Sequence, residues 1–310
     1  MIVHLNGQLV PAGEAKVSVF DRGFIFGDGL YEALRTVPRT DGRGGARAVG
    51  LTRHIERMRC GLDEAGIRWD PRQLGRLSEE LLTANGLVDA FVYWQVTRGT
   101  PPTGAPVRQR IPGAALTPTV FGYCTPQPPI ELCRRAAPRT AITREDVRWK
   151  LGHVKSTSLL GNVMCALAAD AAACDEAILV RDGLVTEGVA TNVIAVLRGG
   201  GGRGGGGEVV TPALSSAPML SGVTRAILMD AAPEIVERPV GVDELRDASE
   251  IMLIGTTTLV TPIVRLNGHP VGTGQAGPVS ERLLGLLLSV IASGEDDARA
   301  KPDVRVASKG

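Results

Sequence analysis

Lys155 and Glu187 are the two residues whose types and surroundings point to covalent chemistry. Lys155 ends the run Arg144–Lys155 and is followed by the hydroxyl-rich Ser156–Ser158 and an apolar stretch of helical character, Leu159–Ala172. A lysine on the lip of a buried α/β unit is costly to desolvate, and burial lowers its pKa. The neutral amine is then a nucleophile able to form a Schiff base with an aldehyde. Before Glu187 come a buried strand (Glu176–Val180), a hairpin turn at Asp182-Gly183 and the return piece Leu184–Val185. A carboxylate backed by such a strand is a natural partner for a protonated ring nitrogen. An imine-forming lysine with an acid on a pyridinium nitrogen is the arrangement expected for pyridoxal 5′-phosphate, which acts as an electron sink. Spacing alone leaves a second reading open, a surface lysine and a capping glutamate.

Phosphate-binding candidates lie elsewhere in the chain. Gly222-Val223-Thr224 precedes a helix read over Arg225–Ala232, and a helix N-terminus collects unpaired N–H groups and partial positive charge. Glu250–Ile254 reads as a buried strand ending in Gly255-Thr256-Thr257-Thr258. The hydroxyls and amides there can donate to a phosphate, although β-propensity alone also places threonines at strand ends. An amphipathic helix over Leu51–Ala65 carries His54 and Arg57 on adjacent turns. A guanidinium fork suits phosphate, and a solvated helix face suits both residues equally.

The elements that must position these groups read as follows. Ile2–Val10 is a hairpin turning at Asn6-Gly7, and Val17–Phe20 starts a strand that runs into a glycine-punctuated loop, Asp21–Glu32. Leu74–Leu87 is a helix ended by Asn85-Gly86. Phe91–Thr97 and Thr119–Tyr123 are paired strands around a long proline-rich loop, Pro101–Thr117, and loops of that length are usually functional or disordered. The proline-stiffened stretch after Cys124 marks a domain boundary. The expected organisation is a small α/β domain over 1–124, a linker over 125–130, a larger cofactor-binding domain over 131–293 and a disordered tail over 294–310. Gly199–Gly207 is glycine except for Arg203 and satisfies G-x-G-x-x-G trivially. With Glu208–Val210 read as a return strand, it is a flexible hairpin insertion and no dinucleotide fingerprint.

Composition narrows the class. The 310 residues include 34 lysines and arginines against 33 acids, a formal net charge of +1, so no basic face for nucleic acid is implied. No apolar run reaches membrane-spanning length and no secretory segment opens the chain. The 5 cysteines lack CxxC spacing and read as reduced thiols of a cytoplasmic protein. HExxH, G-x-S-x-G and Walker A strings are missing, which removes metalloprotease, serine hydrolase and P-loop readings.

Several strings together resemble the fold-type IV pyridoxal-phosphate enzymes, which include branched-chain and D-amino-acid aminotransferases, (R)-selective amine transaminases and aminodeoxychorismate lyases. They are Asp21–Gly29, the H-x-x-R of His54–Arg57, Lys155-Ser156, Leu159–Val163, Asp175–Ala177, Val185–Gly188 with Thr191–Val193, and Gly222–Thr224. The resemblance runs roughly from Asn6 to Leu288. It implies an α+β, two-domain chain, D-amino-acid aminotransferase-like, with the cofactor between the domains and a homodimer partner closing the site. It also implies a Schiff-base link through Lys155, Glu187 on the ring nitrogen, and a phosphate held by Arg57, Gly222, Val223, Thr224 and Thr257, with Thr256 close behind.

Tyr31, Arg108 and Arg110 would read the substrate carboxylate, and Arg148, Leu160 and Asn192 would support the site. Tyr31, Leu160 and the string VYWQVTRGT favour the D-amino-acid group over branched-chain enzymes, which carry phenylalanine and tyrosine at the first two places. One departure stands out: the R-x-H pair that binds the substrate carboxylate in that group is Arg108-Gln109-Arg110 here, in a longer loop. The implied activity is ping-pong transfer of an amino group between a D-amino acid and a 2-keto acid. The alternatives are an (R)-amine:pyruvate transaminase, an aminodeoxychorismate lyase and a non-catalytic pyridoxal-phosphate binder.

Overall fold

A computed structural model describes residues 1–199 and 207–298. The chain divides into two compact units, Met1–Gln127 joined by the chain from Ser293 onward, and Pro128–Ala292. The first contains β1 (Ile2–Leu5), β2 (Gln8–Pro11), α1 (Arg22–Phe26), β3 (Gly29–Pro38), β4 (Ala46–Ala48), α2 (Leu51–Ala65), α3 (Leu74–Asn85), β5 (Ala90–Thr97) and β6 (Thr119–Pro126). Its described strands form one antiparallel six-stranded sheet in the order β2-β1-β6-β5-β3-β4. Strand alternation sends Leu30, Glu32 and Leu34 of β3, with Val92, Trp94 and Val96 of β5, to the face covered by α2 and α3. The opposite face carries Tyr31, Tyr93 and Tyr123, with ring centroids 5.6 and 5.2 Å apart.

Three expectations need correcting in this unit. Val17–Phe20 forms no strand, and what reads as a loop folds from Arg22 to Phe26 as α1, closed by the Asp21 carboxylate at Gly23 N–H and by Gly27 in the left-handed region. A helix of that length is too short to show apolar periodicity. The linker begins later than 125, because β6 pairs with β5 through Pro126. The tail is ordered at its start: Glu295–Asp297 make a 3₁₀ turn, and Asp296 is buried. Helix α2 starts at Gly50, which has no capping side chain. Asp296 and Asp297 supply the caps, accepting from Gly50 N–H at 2.6 Å and Thr52 N–H at 2.9 Å, while Arg47 pairs with Asp296 at 2.8 Å. The rest of the expected tail lies outside the described residues.

The second unit contains β7 (Arg139–Glu145), α4 (Leu160–Ala171), β8 (Glu176–Arg181), β9 (Leu184–Gly188), β10 (Asn192–Leu197), β11 (Glu208–Pro212), α5 (Val223–Ala231), β12 (Val236–Arg238), α6 (Val242–Arg246), β13 (Glu250–Gly255), β14 (Leu259–Leu266), β15 (His269–Pro270) and α7 (Pro278–Ser293). Its described strands make a nine-stranded mixed sheet, β12-β11-β10-β13-β14-β7-β8-β9, with β15 on β14. β8 and β10 are buried along most of their length, which explains their unbroken apolar runs. Cys165 and Ala169 of α4 pack on Ala177 and Leu179 of β8. Most of the glycine-rich insertion, 200–206, lies outside the described residues, between the paired strands β10 and β11. The chain leaves β9 at Glu187-Gly188, re-enters at Asn192, and ends β13 at Gly255 beside it, since Asn192 pairs with Ile254. One end of this sheet therefore gathers Glu187, Asn192 and the turn that follows Gly255.

Candidate active site

Glu187 is 5% exposed and its two oxygens are shared among three neighbouring groups. Arg148 Nη1 donates to Oε1 at 2.7 Å, while Leu220 N–H donates to Oε2 at 3.1 Å and Asn192 Nδ2 reaches Oε2 at 3.4 Å. Burial pushes the Glu187 carboxyl up, and the charges of Arg148 and, more weakly, Lys155 work against that. Lys155 is half-buried, held between buried Val154 and Ser156.

Arg148 is fixed from behind. Asp146, whose side chain is fully buried, accepts from Arg148 Nε at 2.9 Å and Nη2 at 3.0 Å, which turns Nη1 toward Glu187. Thr186 and Arg181 also contact Asp146. Gly161 at the start of α4 makes room, since a Cβ there would crowd the Arg148 side chain. Asp146 went unnoticed in the sequence. Its signal was an acid flanking Arg148 at the end of a strand, where a buried charge requires a partner.

Asn192 couples the acid to the next turn. Its Nδ2 donates to Leu220 carbonyl oxygen at 3.0 Å, and a Cβ on Gly222 would overlap its Oδ1. Gly222 is the N-cap of α5 and lacks a side-chain cap, so Val223 and Thr224 form the first turn of the helix. The helix thus begins earlier than Arg225, the start expected from sequence. Its leading N–H groups have no intrahelical acceptor. Gly255, at the head of the Thr256–Thr258 turn, lies against Thr191. Thr256 is half-buried and Thr257 exposed. Leu160 opens α4 and is 73% exposed.

The remaining candidates belong to the first unit. Arg57 reaches Glu32 with both arms, Nε to Oε1 at 2.8 Å and Nη2 to Oε2 at 2.7 Å, and His54 Nδ1 lies 2.7 Å from the same Oε2. Glu32 is fully buried. Burial alone would raise its pKa, but Arg57 and His54 hold the carboxyl far below the usual carboxylate range. Glu32 was also missed, although a charged residue inside an otherwise apolar strand needs a buried partner. Tyr31 is half-buried on the open sheet face against Tyr93. Arg108 and Arg110 are exposed in the 101–117 loop.

This arrangement offers a buried acid, an amine within its field and, at the same sheet end, a helix N-terminus. Several known proteins are similar to the chain as a whole. The model of the amino-transferase class IV family matches residues 29–266. The D-alanine aminotransferase of Bacillus licheniformis is 34% identical over 300 residues, spanning 94% of this chain and 98% of that protein. That of Staphylococcus haemolyticus is 32% identical over 291 residues, with 91% and 94% spanned. Among solved structures, the Thermoproteus uzoniensis branched-chain aminotransferase with norvaline superposes with a TM-score of 0.79 at 24% identity, over 95% of this chain and 96% of that one. The branched-chain amino acid aminotransferase from Thermobaculum terrenum in its PLP-form gives 0.79 at 20%, over 96% of this chain and 95% of that one. The structural likeness establishes the two-domain α+β fold. Together with the family match over most of its length, it means that the chain belongs to the class IV aminotransferases.

Proposed function

We propose that this chain is a pyridoxal-phosphate-dependent aminotransferase that moves an amino group between a D-amino acid and a 2-keto acid. The observation that carries this reading is the buried Glu187 carboxylate, held by Arg148, Asn192 and Leu220 N–H within the field of the Lys155 amine. D-alanine aminotransferases that align over nearly the whole chain support the substrate class.

The residues fit the cofactor. A Cβ on Gly222 would overlap Asn192 Oδ1, so any larger residue must push Asn192 aside, and the uncapped N-terminus of α5 that follows is suited to an anion. Bound pyridoxal phosphate supplies an aldehyde carbon for an amine and a ring that takes up the electron pair released at a substrate α-carbon. Lys155 Nζ would take the proton from the donor α-carbon and deliver it to the carbon that entered as the cofactor's aldehyde, the general acid–base role of a positioned amine. Glu187 holds a proton at the ring nitrogen, and Arg148 fixes the direction of that carboxylate. Val223 and Thr224 N–H groups, Gly222, Thr256, Thr257 and Arg57 are assigned to the phosphate. Tyr31, Arg108 and Arg110 are assigned to the substrate carboxylate.

The proposal extends to a homodimer, which the family resemblance implies. Helix α4 leaves Leu160, Val163, Met164 and Leu167 exposed (73, 50, 57 and 61%) at helical spacing. No described helix is long and apolar enough to cross a membrane, and the cysteines are present as thiols.

The test is a half-reaction panel on the purified yellow enzyme, following bleaching of the visible band with D-alanine, L-leucine and (R)-1-phenylethylamine. D-alanine alone should bleach it quickly. Bleaching by L-leucine alone would refute the stereochemical assignment, and preference for the neutral amine would favour the (R)-amine transaminase reading. Pyruvate release from aminodeoxychorismate would favour the lyase. Protein that gains no visible band with added cofactor, like Lys155→Ala, would sink the whole reading.

A further inference from the structure

The 101–117 loop is long, has no regular secondary structure and carries Arg108 and Arg110, yet it is tied down at base and tip by one dipeptide. At the base, the buried Asp21 carboxylate accepts from the Thr97 hydroxyl at 3.0 Å and the Thr119 hydroxyl at 2.7 Å, the residues that end β5 and begin β6. Arg22 N–H donates to Gly99 carbonyl oxygen at 3.0 Å. Gly99 has a φ of 100°, and a Cβ there would strike the Thr117 carbonyl, so the two ends of the loop are pinched together.

At the tip, Arg22 spreads its guanidinium over consecutive peptide groups. Nη1 donates to Gln109 carbonyl oxygen at 2.6 Å and Nη2 to Arg110 carbonyl oxygen at 2.8 Å. Nε is taken by Asp28 at 2.7 Å, and the Phe26 ring lies 4.8 Å from the guanidinium carbon. The Arg22 side chain is only 5% exposed. Asp28 in turn binds Arg98, whose other donors reach the Ala65 and Gly66 carbonyls at the end of α2. A continuous chain of charge-assisted bonds thus runs from the loop tip to the helix that carries Arg57.

We infer that Arg22 is the positioning residue of the substrate loop: its fork fixes the peptide groups at 109 and 110, and so sets where Arg108 and Arg110 meet the substrate carboxylate. This rests on the assignment of that loop to carboxylate recognition. The planar fork is essential, because two carbonyls about one peptide apart must be met while Nε stays on Asp28. A lysine keeps one charge for Asp28 and cannot span both carbonyls.

The test compares Arg22→Lys and Arg22→Met with the parent holoenzyme, and uses Thr119→Val, which loosens only the base, should Arg22→Met fail to fold. Two readouts are needed. The first is trypsin cleavage after Arg108 and Arg110, identified by peptide mass. It should quicken by about tenfold in the Arg22 variants as the loop opens more often. The second is the D-alanine half-reaction. Its apparent KM should rise by about tenfold, as expected for losing charge-assisted bonds, while the saturated rate and the visible band stay within about threefold of the parent.

Unchanged cleavage overturns the clamp. Faster cleavage with unchanged KM overturns the link to substrate. Arg108→Ala and Arg110→Ala separate that second failure from a failure of the loop assignment itself. If they too leave KM unchanged, the carboxylate is read elsewhere, whereas a raised KM in them alone removes only Arg22. A fall in saturated rate equal to the rise in KM would also overturn the proposal, since a loop clamp does not act on proton transfer.

Discussion

Glu187 is a buried carboxylate whose charge, under the proposed function, serves the cofactor more than the bare protein. Burial raises its pKa, so between the ordinary glutamate value and that raised value the folded chain keeps a proton that the unfolded chain has lost. Stability of the cofactor-free protein must therefore fall as pH rises through this window. Glu187→Gln should flatten that dependence, measured as melting temperature against pH on cofactor-free protein, and weaken pyridoxal phosphate binding by about tenfold or more. An unchanged pH slope would mean that Glu187 does not titrate as its burial requires. Glu32 has the opposite sign. It is held low, so its pairing with Arg57 and His54 is at full strength above the usual carboxylate range and is lost as pH falls toward the depressed value. Arg57→Ala strips the bidentate partner from a fully buried acid, and should cost about 3 kcal/mol of stability. Adding Glu32→Gln should restore most of that stability without restoring cofactor affinity. Recovery of both would remove Arg57 from the phosphate site. The residues proposed to carry the chemistry, Lys155, Glu187 and Arg57, stand in recognisable strings of the sequence. Their anchors Asp146 and Glu32 could not be picked out that way, because an anchor is defined by what it touches.

At the scale of elements, the turns were the most legible features. Asn6-Gly7 and Asp182-Gly183 both take the positive φ values that these residue pairs tolerate, and α2 spans the residues that its apolar spacing predicts. The start of α2 was not legible, since its caps come from residues 246 and 245 positions away. Asp296→Ala should destabilise the protein by about 1–2 kcal/mol through loss of the cap, and by more through the stranded Arg47; chemical denaturation measures it. A loss within error would show that water replaces the carboxylate. Gly222→Ala tests the other key terminus. The added carbon would displace Asn192 from the turn and shift the start of α5, so cofactor binding should weaken by about tenfold or more, with the isolated fold little changed by circular dichroism.

At the scale of the whole molecule, the exposed stripe on α4 is the feature hardest to explain in a lone chain. If the proposed homodimer uses this stripe, Met164→Glu should convert it to monomer in sedimentation equilibrium. A dimer that survives this change and Leu167→Glu together would place the interface on another surface.

By itself the sequence determined much of the local architecture and pointed to Lys155 and Glu187 as the proposed reactive pair, because turn chemistry, apolar periodicity and short motifs act between residues close in the chain. It also carried the class IV family signature. Only the tertiary structure decided which acids hold Arg57 and Arg148, which segment caps α2, and what pins the 101–117 loop. Those contacts join residues far apart in sequence. Each exists because a charge or an N–H group buried by folding must find a partner wherever the fold brings one.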